Sequence, residues 1–147
     1  MRLSTKIRYA SRAMAELGSL PSGDALSVRE VARRQRISAK YLERIFQSLT
    51  SAGLLTVIHG RRGGFLLAKP PQRISLREVF EAVEGSQAVV ECVDAPERCP
   101  MSDECPTRDT WVDIQQSVCD VLQRTTIQQL VERKQARASK ANYDYQI

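Results

Sequence analysis

The sequence lacks the features of a membrane or exported protein. It has no apolar run near the roughly 20 residues that a helix needs to span a bilayer. Its start, Met1 to Tyr9, is basic and polar, without the apolar core of a secretory signal. At 147 residues the chain suits one domain, or one small domain with an appended helix. We therefore expect a cytoplasmic protein with no membrane partner.

Histidine and paired cysteines are also scarce. His59 is the only histidine, which argues against histidine-based catalysis, and we predict no enzyme activity. The Cys-x2-Cys pairs typical of zinc sites are absent. Three of the four cysteines nevertheless fall close together, in the pattern Cys92-x6-Cys99-x5-Cys105. In a chain without an export signal, such a group is more typical of metal binding or redox chemistry than of structural disulfides.

The net charge of +5 is unevenly distributed. Residues 1–70 contain 13 Lys or Arg and 4 Asp or Glu, whereas residues 78–120 contain 2 and 11. A basic half beside an acidic half indicates that only one end of the molecule binds a polyanion. Ordinary solvated surface charge is the alternative explanation.

The basic half is predicted to contain helices and a hairpin. Serine caps begin helices over about 4–20, 27–35 and 38–51, and the Ser-x-x-Glu sequence at the start of the second has the form of a capping box. Two β-like runs in 54–67 flank a turn rich in glycine and arginine. Another capping box opens a helix over 75–85. This order predicts a mainly α fold in which residues 1–85 form a winged helix-turn-helix.

The third helix has one apolar face and one polar face, as a recognition helix requires. Arg and Gln can bond base edges through two hydrogen bonds, Glu can accept from cytosine, and arginine at a wing tip suits a narrow minor groove. An amphipathic surface helix with solvated charges is the alternative. The residues predicted to contact DNA are Arg2, Lys6, Arg29, Ser38, Lys40, Tyr41, Glu43, Arg44, Gln47, His59, Arg61 and Arg62.

The acidic half is predicted to contain a loop, a long helix and a tail. Residues 86–106 show no helical period and form the expected cysteine loop. Residues 107–131 are predicted as a long helix to about Arg124 and a short helix after it, and 132–147 as a flexible tail. Four apolar residues of the long helix are spaced three or four apart, as in a coiled-coil seam: Trp111, Ile114, Val118 and Val121.

Three thiolates on one loop can converge on a soft metal centre. The spacing leaves open an iron–sulfur cluster, zinc or another metal, and free-thiol or disulfide chemistry. Proline follows both Cys99 and Cys105 and stiffens the loop. Cys119 lies near the seam of the long helix, and we interpret it as a small packing residue.

These motifs together resemble the IscR/NsrR/RirA family of bacterial iron–sulfur transcription regulators. The resemblance is carried by residues 1–10, by Ile37-Ser38-Ala39-Lys40-Tyr41-Leu42-Glu43, by Gly60-Arg61-Arg62-Gly63-Gly64-Phe65-Leu66-Leu67 and by the three cysteines, and it spans about residues 1–131. It implies that Lys40, Glu43, Arg44 and His59 read DNA. It also implies a homodimer formed by the long helix, on a pseudo-palindromic site, and a 4Fe-4S or 2Fe-2S cluster held by the three cysteines.

The sequence departs from the family at the fourth cluster ligand. Arg108 stands where one type has histidine, and Arg8 stands where another type has aspartate. Members of one type often have arginine where this chain has His59, so minor-groove contact passes to Arg61 or Arg62. A three-cysteine site with an exchangeable fourth position is expected to be labile.

We therefore predict a homodimeric DNA-binding transcription regulator that senses iron, redox state or nitric oxide through a cluster. A winged-helix regulator without a cluster, which senses a small ligand or thiol oxidation, is one alternative. An iron–sulfur redox protein that does not bind DNA is the other.

Overall fold

The computed structural model describes residues 3–85 and 88–144. Its helices and strands are α1 (Thr5–Gly18), α2 (Val28–Gln35), α3 (Ala39–Ser51), β1 (Leu55–Ile58), β2 (Gly64–Leu67), α4 (Leu76–Glu84), α5 (Glu91–Asp94), α6 (Arg108–Arg124) and α7 (Ile127–Asp144). The elements from α1 to α4 follow in the order predicted for the winged helix, and three further helices follow them.

Serine residues precede four of these helices, as predicted. The Ser4 hydroxyl accepts hydrogen bonds from the backbone N–H groups of Lys6 and Ile7, and Ser75 and Glu78 form the complete capping box of α4. At α2 only half of the expected box forms, because the Glu30 carboxylate pairs with two arginines of its own helix instead. At α3 the Ser38 side chain makes no capping bond. The predicted caps at these two positions were therefore partly wrong.

The core lies between α1, α2, α3 and α4. Apolar residues at helical spacing point inward from each helix, and burial of this area drives the association of the helices. The largest fully buried side chains are Phe46, Met14, Leu42, Ile45, Leu49, Leu54, Ile74, Ile127, Val31 and Val79.

Strands β1 and β2 form the predicted antiparallel hairpin, with Leu55 opposite Leu67 and Ile58 opposite Gly64. The hairpin is joined to the helices through Phe65, which pairs with the backbone of Leu26 and packs edge-on against Phe46. A Cβ atom at Gly64 would collide with the Leu26 carbonyl group, so the close approach of the two backbones requires glycine. The wing is thereby fixed to the helix-turn-helix.

The predicted cysteine loop contains more regular structure than expected. Cys92 lies in the single turn of α5, and a 3-10 turn spans Pro96–Arg98. These pieces are too short to produce a periodic apolar pattern, which is why the sequence indicated a loop. The long helix α6 begins at Arg108, with Thr107 as its first flanking residue.

Helix α7 is the main departure from the sequence prediction. The prediction of a short helix to Val131 and a tail from residue 132 was wrong about where this helix ends, because it continues to Asp144. The added residues contain no glycine or proline and are rich in good helix formers, but they have no apolar stripe. Ile127 and Val131 are buried against α1 at Gly18, which fixes α7 to the winged domain.

Within the described ranges, no helix combines the length and the apolar character needed to cross a bilayer.

Candidate nucleic-acid interface and cysteine loop

Helix α3 separates its side chains between the core and the surface. Leu42, Ile45, Phe46 and Leu49 are buried. The opposite face presents the predicted base-reading residues, all exposed: Lys40, Glu43, Arg44 and Gln47. Nothing else in the described ranges hydrogen-bonds to these four side chains, so their donors and acceptors are available to a partner.

The first turn of α3 adds a hydroxyl and an aromatic ring. Ser38 is exposed, and its uncapped hydroxyl and the nearby helix N–H groups can bind a phosphate oxygen. Tyr41 is 36 % exposed and meets Tyr9 of α1 edge-on, with ring centroids 5.9 Å apart. The sequence predicted Tyr41 as a DNA contact, and in the structure it lies at the edge between the buried and the exposed face of α3.

The wing tip carries His59, Arg61 and Arg62, and all three side chains are exposed. The tip is closed by a hydrogen bond of 3.0 Å from the N–H of Gly63 to the carbonyl of Gly60. The hairpin therefore presents two guanidinium groups on a short, ordered turn, as minor-groove insertion requires.

Three of the predicted DNA contacts lie outside α3 and the wing, and the structure treats each differently. Arg29 is exposed in the first turn of α2. Lys6 is half-buried, and its ammonium group donates to the Val83 carbonyl at the end of α4. In this arrangement Lys6 holds α1 to α4 rather than facing a phosphate. Arg2 lies outside the described residues.

Glu16 is a site residue that the sequence analysis missed. It is only 6 % exposed, yet its carboxylate accepts hydrogen bonds from Arg34 (3.1 Å), Gln35 (2.7 Å) and Lys134 (2.7 Å). Burial alone would raise its pKa, but the Lys134 ammonium and the Arg34 guanidinium together hold the pKa below its ordinary value. The available signal was a carboxylate on the apolar face of α1, three residues after Ala13.

The three cysteines of the loop are free thiols, and each is partly exposed. The thiol of Cys105 lies 3.4 Å from the Thr107 hydroxyl. Hydrogen bonding by the side chain and backbone of Thr107 lowers the pKa of Cys105, and Arg108 adds to this effect. A lowered pKa increases the thiolate fraction, which is the form that binds metals and reacts with oxidants.

Thiolates are the donors that iron–sulfur clusters prefer, so the donor set fits such a group. The three thiols are not assembled into a binding site in this structure. In residues 3–85 and 88–144 no three cysteine, histidine or acidic side chains converge closely enough to hold a metal ion. Ligation by all three thiols therefore requires the loop to rearrange.

One side chain of α6, Gln115, hydrogen-bonds to the loop at two points. The Gln115 amide oxygen accepts from the Val89 N–H at 3.1 Å, and its nitrogen donates to Asp94 at 3.2 Å. Asp94 is the last residue of α5, the turn that contains Cys92. A movement of the loop would therefore break or shift hydrogen bonds to α6.

The predicted seam of α6 remains largely exposed. Trp111 is 36 %, Ile114 37 % and Val121 46 % exposed, and Val118 is partly buried. An apolar row of this kind on a single chain is typical of a face that another chain covers.

Comparison with known proteins assigns these features to one family. The Rrf2 family, described as iron-dependent transcriptional regulators, matches residues 3–133. The chain belongs to the Rrf2 family. The transcriptional regulator IscR of Pectobacterium carotovorum subsp. carotovorum is 33% identical over 135 residues, which cover 92% of this chain and 82% of that protein.

Solved structures of Rrf2-type regulators share the fold. The structure of CymR, the global cysteine regulator of B. subtilis, superposes with a TM-score of 0.76 at 29% identity and covers 90% of this chain and 98% of that one. IscR of T. potens gives a TM-score of 0.74 at 26% identity, with 91% and 88% covered. These matches confirm the predicted winged-helix fold, and they confirm that this Rrf2-family chain is a transcriptional regulator rather than an enzyme.

Proposed function

We propose that this Rrf2-family regulator binds double-stranded DNA as a homodimer and changes its affinity in response to iron supply or redox state through the cysteine loop. The observation that carries the proposal is the Gln115 bridge, which joins the loop backbone and α5 to α6. Helix α6 packs on α4, and α4 packs on α3. A rearrangement of the loop therefore has a continuous physical route to the recognition helix.

In this proposal α3 enters the major groove and the wing enters the adjacent minor groove. Arg44 and Gln47 supply base-edge hydrogen bonds, Glu43 selects cytosine, and Lys40 contacts guanine or phosphate. The wing side chains bind more strongly where the minor groove is narrow and its negative potential is high; they are those of His59, Arg61 and Arg62. Two protomers paired through the seam of α6 would read a pseudo-palindromic site.

Cys92, Cys99 and Cys105 would hold an iron–sulfur cluster. When bound, such a cluster supplies a centre that is sensitive to oxidants and to iron supply. The thiols would order the loop around one conformation, and differential stabilisation of that conformation shifts the equilibrium of the protein. Because Arg108 has no ligating atom, the fourth position would be filled by an exchangeable group.

The test is purification without oxygen from iron-replete cells, followed by iron and sulfide analysis. We expect bound iron and sulfide in the wild type, retention of both in Cys119→Ala, and loss of both in Cys92→Ala. A colourless wild-type protein without iron would refute the cluster. DNA binding by Cys92→Ala that responds to iron or oxidant as the wild type does would refute the loop as the sensor.

A second candidate function is thiol-based sensing without a cluster. It is supported by the lowered pKa of Cys105, by its partial exposure and by the absence of a converged ligand group in the described residues. In this case an oxidant would convert the Cys105 thiolate to a sulfenic acid, with release of water or another reduced product of the oxidant. Peroxide should then change DNA affinity in metal-free wild type but not in Cys105→Ser.

A further inference from the structure

Helix α7 carries a basic face beyond Val131. Arg133, Arg137 and Lys140 are spaced four and three residues apart, so they lie on one side of the helix. All three are exposed, and Glu132 is the only carboxylate in residues 132–141. Like charges at this spacing repel each other and destabilise an isolated helix. A polyanion bound along this face would relieve the repulsion.

The basic face borders a groove of about 440 Å³ between α1 and α7. The groove is lined by Arg12, Gln35, Arg133, Lys134 and Arg137, among others. Lys134 is paired with the buried Glu16, and Arg12 bonds the side chain and the carbonyl of Gln35. Arg133 and Arg137 pair with no carboxylate in the described residues, so the positive charge at the groove is not neutralised.

The direction of α7 brings this charge toward the DNA-reading end of the domain. Its first residue, Ile127, lies against Gly18 at the end of α1, while Lys134 reaches Glu16 and Arg137 lines the groove with Arg12. Helix α7 thus runs antiparallel to α1. The Arg12 guanidinium lies 5.7 Å from the centre of the Tyr9 ring, and Tyr9 in turn contacts Tyr41 in the first turn of α3.

The shape of the surface favours an extended ligand over a small one. From Arg133 to Lys140 the basic face is about 10 Å long at the rise of an α-helix, and its end extends past the groove. A small anion would occupy the groove alone and leave Lys140 without a partner. The spacing suits successive phosphates of a nucleic-acid backbone.

We propose that Arg133, Arg137 and Lys140 of α7 bind DNA phosphates beyond the base pairs that α3 and the wing read. This inference rests on the proposed DNA binding and adds a third contact element to it. The contact is independent of base sequence, because guanidinium and ammonium groups on the phosphate backbone carry no base information. It lengthens the DNA segment that each protomer needs for full affinity.

The test uses a duplex of about 40 base pairs and random sequence, for which phosphate contacts dominate the affinity. Binding of wild type and of the triple variant R133Q/R137Q/K140Q is measured over a series of salt concentrations. Each lost phosphate contact reduces the slope of log affinity against log salt by about 0.9. We expect the slope of the variant to be smaller than that of the wild type by between about 1.8 and 2.7. We expect its affinity at low salt to be lower by roughly tenfold or more.

Arg124→Gln is the matched control, because Arg124 is an exposed arginine at the end of α6, outside the basic face of α7. It should keep the wild-type slope. Helical circular dichroism and the thermal midpoint establish that each variant is folded, and a partly unfolded triple variant is replaced by the three single variants. A triple variant with wild-type slope and affinity would overturn the inference. A wild type that binds no duplex at low salt would instead refute DNA binding itself.

Discussion

At the scale of single residues, Glu16 has the most consequential placement. It is a buried carboxylate on α1 that accepts hydrogen bonds from Arg34 and Gln35 of α2 and from Lys134 of α7. A buried charge is tolerated only when partners offset its lost hydration, and here three donors do so. These hydrogen bonds connect α2, the first helix of the helix-turn-helix, to α1 and α7 through one carboxylate.

Replacing Glu16 with glutamine keeps the shape and removes the charge. We expect Glu16→Gln to lower the free energy of unfolding by about 1–3 kcal/mol, because charge-assisted hydrogen bonds to Lys134 and Arg34 are lost. Urea denaturation measures the change. Glu132→Gln, an exposed carboxylate of α7, should stay within about 0.5 kcal/mol of wild type. Equal stability of the Glu16 variant and wild type would contradict the assigned role.

The pH dependence of stability follows from the same residue. The folded-state pKa of Glu16 lies below its ordinary value of 4.5, so its stabilising contribution is fully present above that value. The contribution is lost as the pH falls through the folded-state pKa. The difference in unfolding free energy between wild type and Glu16→Gln should therefore be constant above about pH 5 and shrink on further acidification. A difference that grows in acid would reverse the assigned sign.

Arg44 is the residue of α3 that we expect to contribute most to base specificity. Arg44→Ala should weaken binding to the natural site by about 1–3 kcal/mol and weaken non-specific binding much less. Fluorescence anisotropy on fragments recovered with the wild-type protein measures both quantities. Arg73→Ala, an exposed arginine of the 3-10 turn Pro71–Arg73, is the control. An equal loss on all sequences would assign Arg44 to phosphate contact instead.

At the scale of elements, local chemistry explains which parts were predictable. Helices α1 to α4 and the wing have caps, turns and apolar periods within their own segments, and the sequence located them well. The second half of α7 has helix-forming residues but no apolar period, because its side chains up to Ala141 are exposed rather than packed in the core. The partners of Glu16 were not predictable, since Lys134 is 118 residues away in sequence. The three cysteines were identified from spacing, but spacing does not specify their separation in space.

The exposed seam of α6 is the element that should determine assembly. Ile114→Glu would place a carboxylate from each protomer into the proposed dimer interface, where burial of an unpaired charge is costly. We expect the dissociation constant of the dimer to rise at least about tenfold, as measured by sedimentation. Gln123→Glu, on the opposite face of α6, adds the same charge to an exposed polar position and should leave the dimer intact. A wild-type protein that sediments as a monomer would remove the interface from the proposal.

At the scale of the whole molecule, the acidic and basic halves have different tasks. The basic half presents α3 and the wing, while the acidic half carries the cysteines and the seam of α6. In the proposed complex, repulsion between the acidic half and the phosphates would favour the orientation that places the basic half on the duplex. Two backbone hydrogen bonds join the end of α6 and the start of α7 to the start of α4: the Leu76 N–H donates to the Thr125 carbonyl, and the Ile127 N–H donates to the Ile74 carbonyl.

The coupling between the halves should be separable from DNA binding. Gln115→Ala removes two hydrogen bonds between the loop and α6, each of which contributes about 0.5–1.5 kcal/mol. We expect near-normal DNA affinity in one state of the loop and a reduced change in affinity when iron or oxidant is varied. Gln116→Ala, whose side chain bonds only Asp120 in the described residues, is the matched control. A full response in Gln115→Ala would show that the signal takes another route.

The pairing of Glu16 with Lys134 has a consequence during protein synthesis. The ribosome completes α2, α3 and the wing long before it makes the helix that packs on α1, because α7 is the last element of the described chain. Until then Glu16 lacks its ammonium partner and the surface around Gly18 stays uncovered. A prematurely terminated chain would therefore carry a recognition helix on an incompletely supported domain.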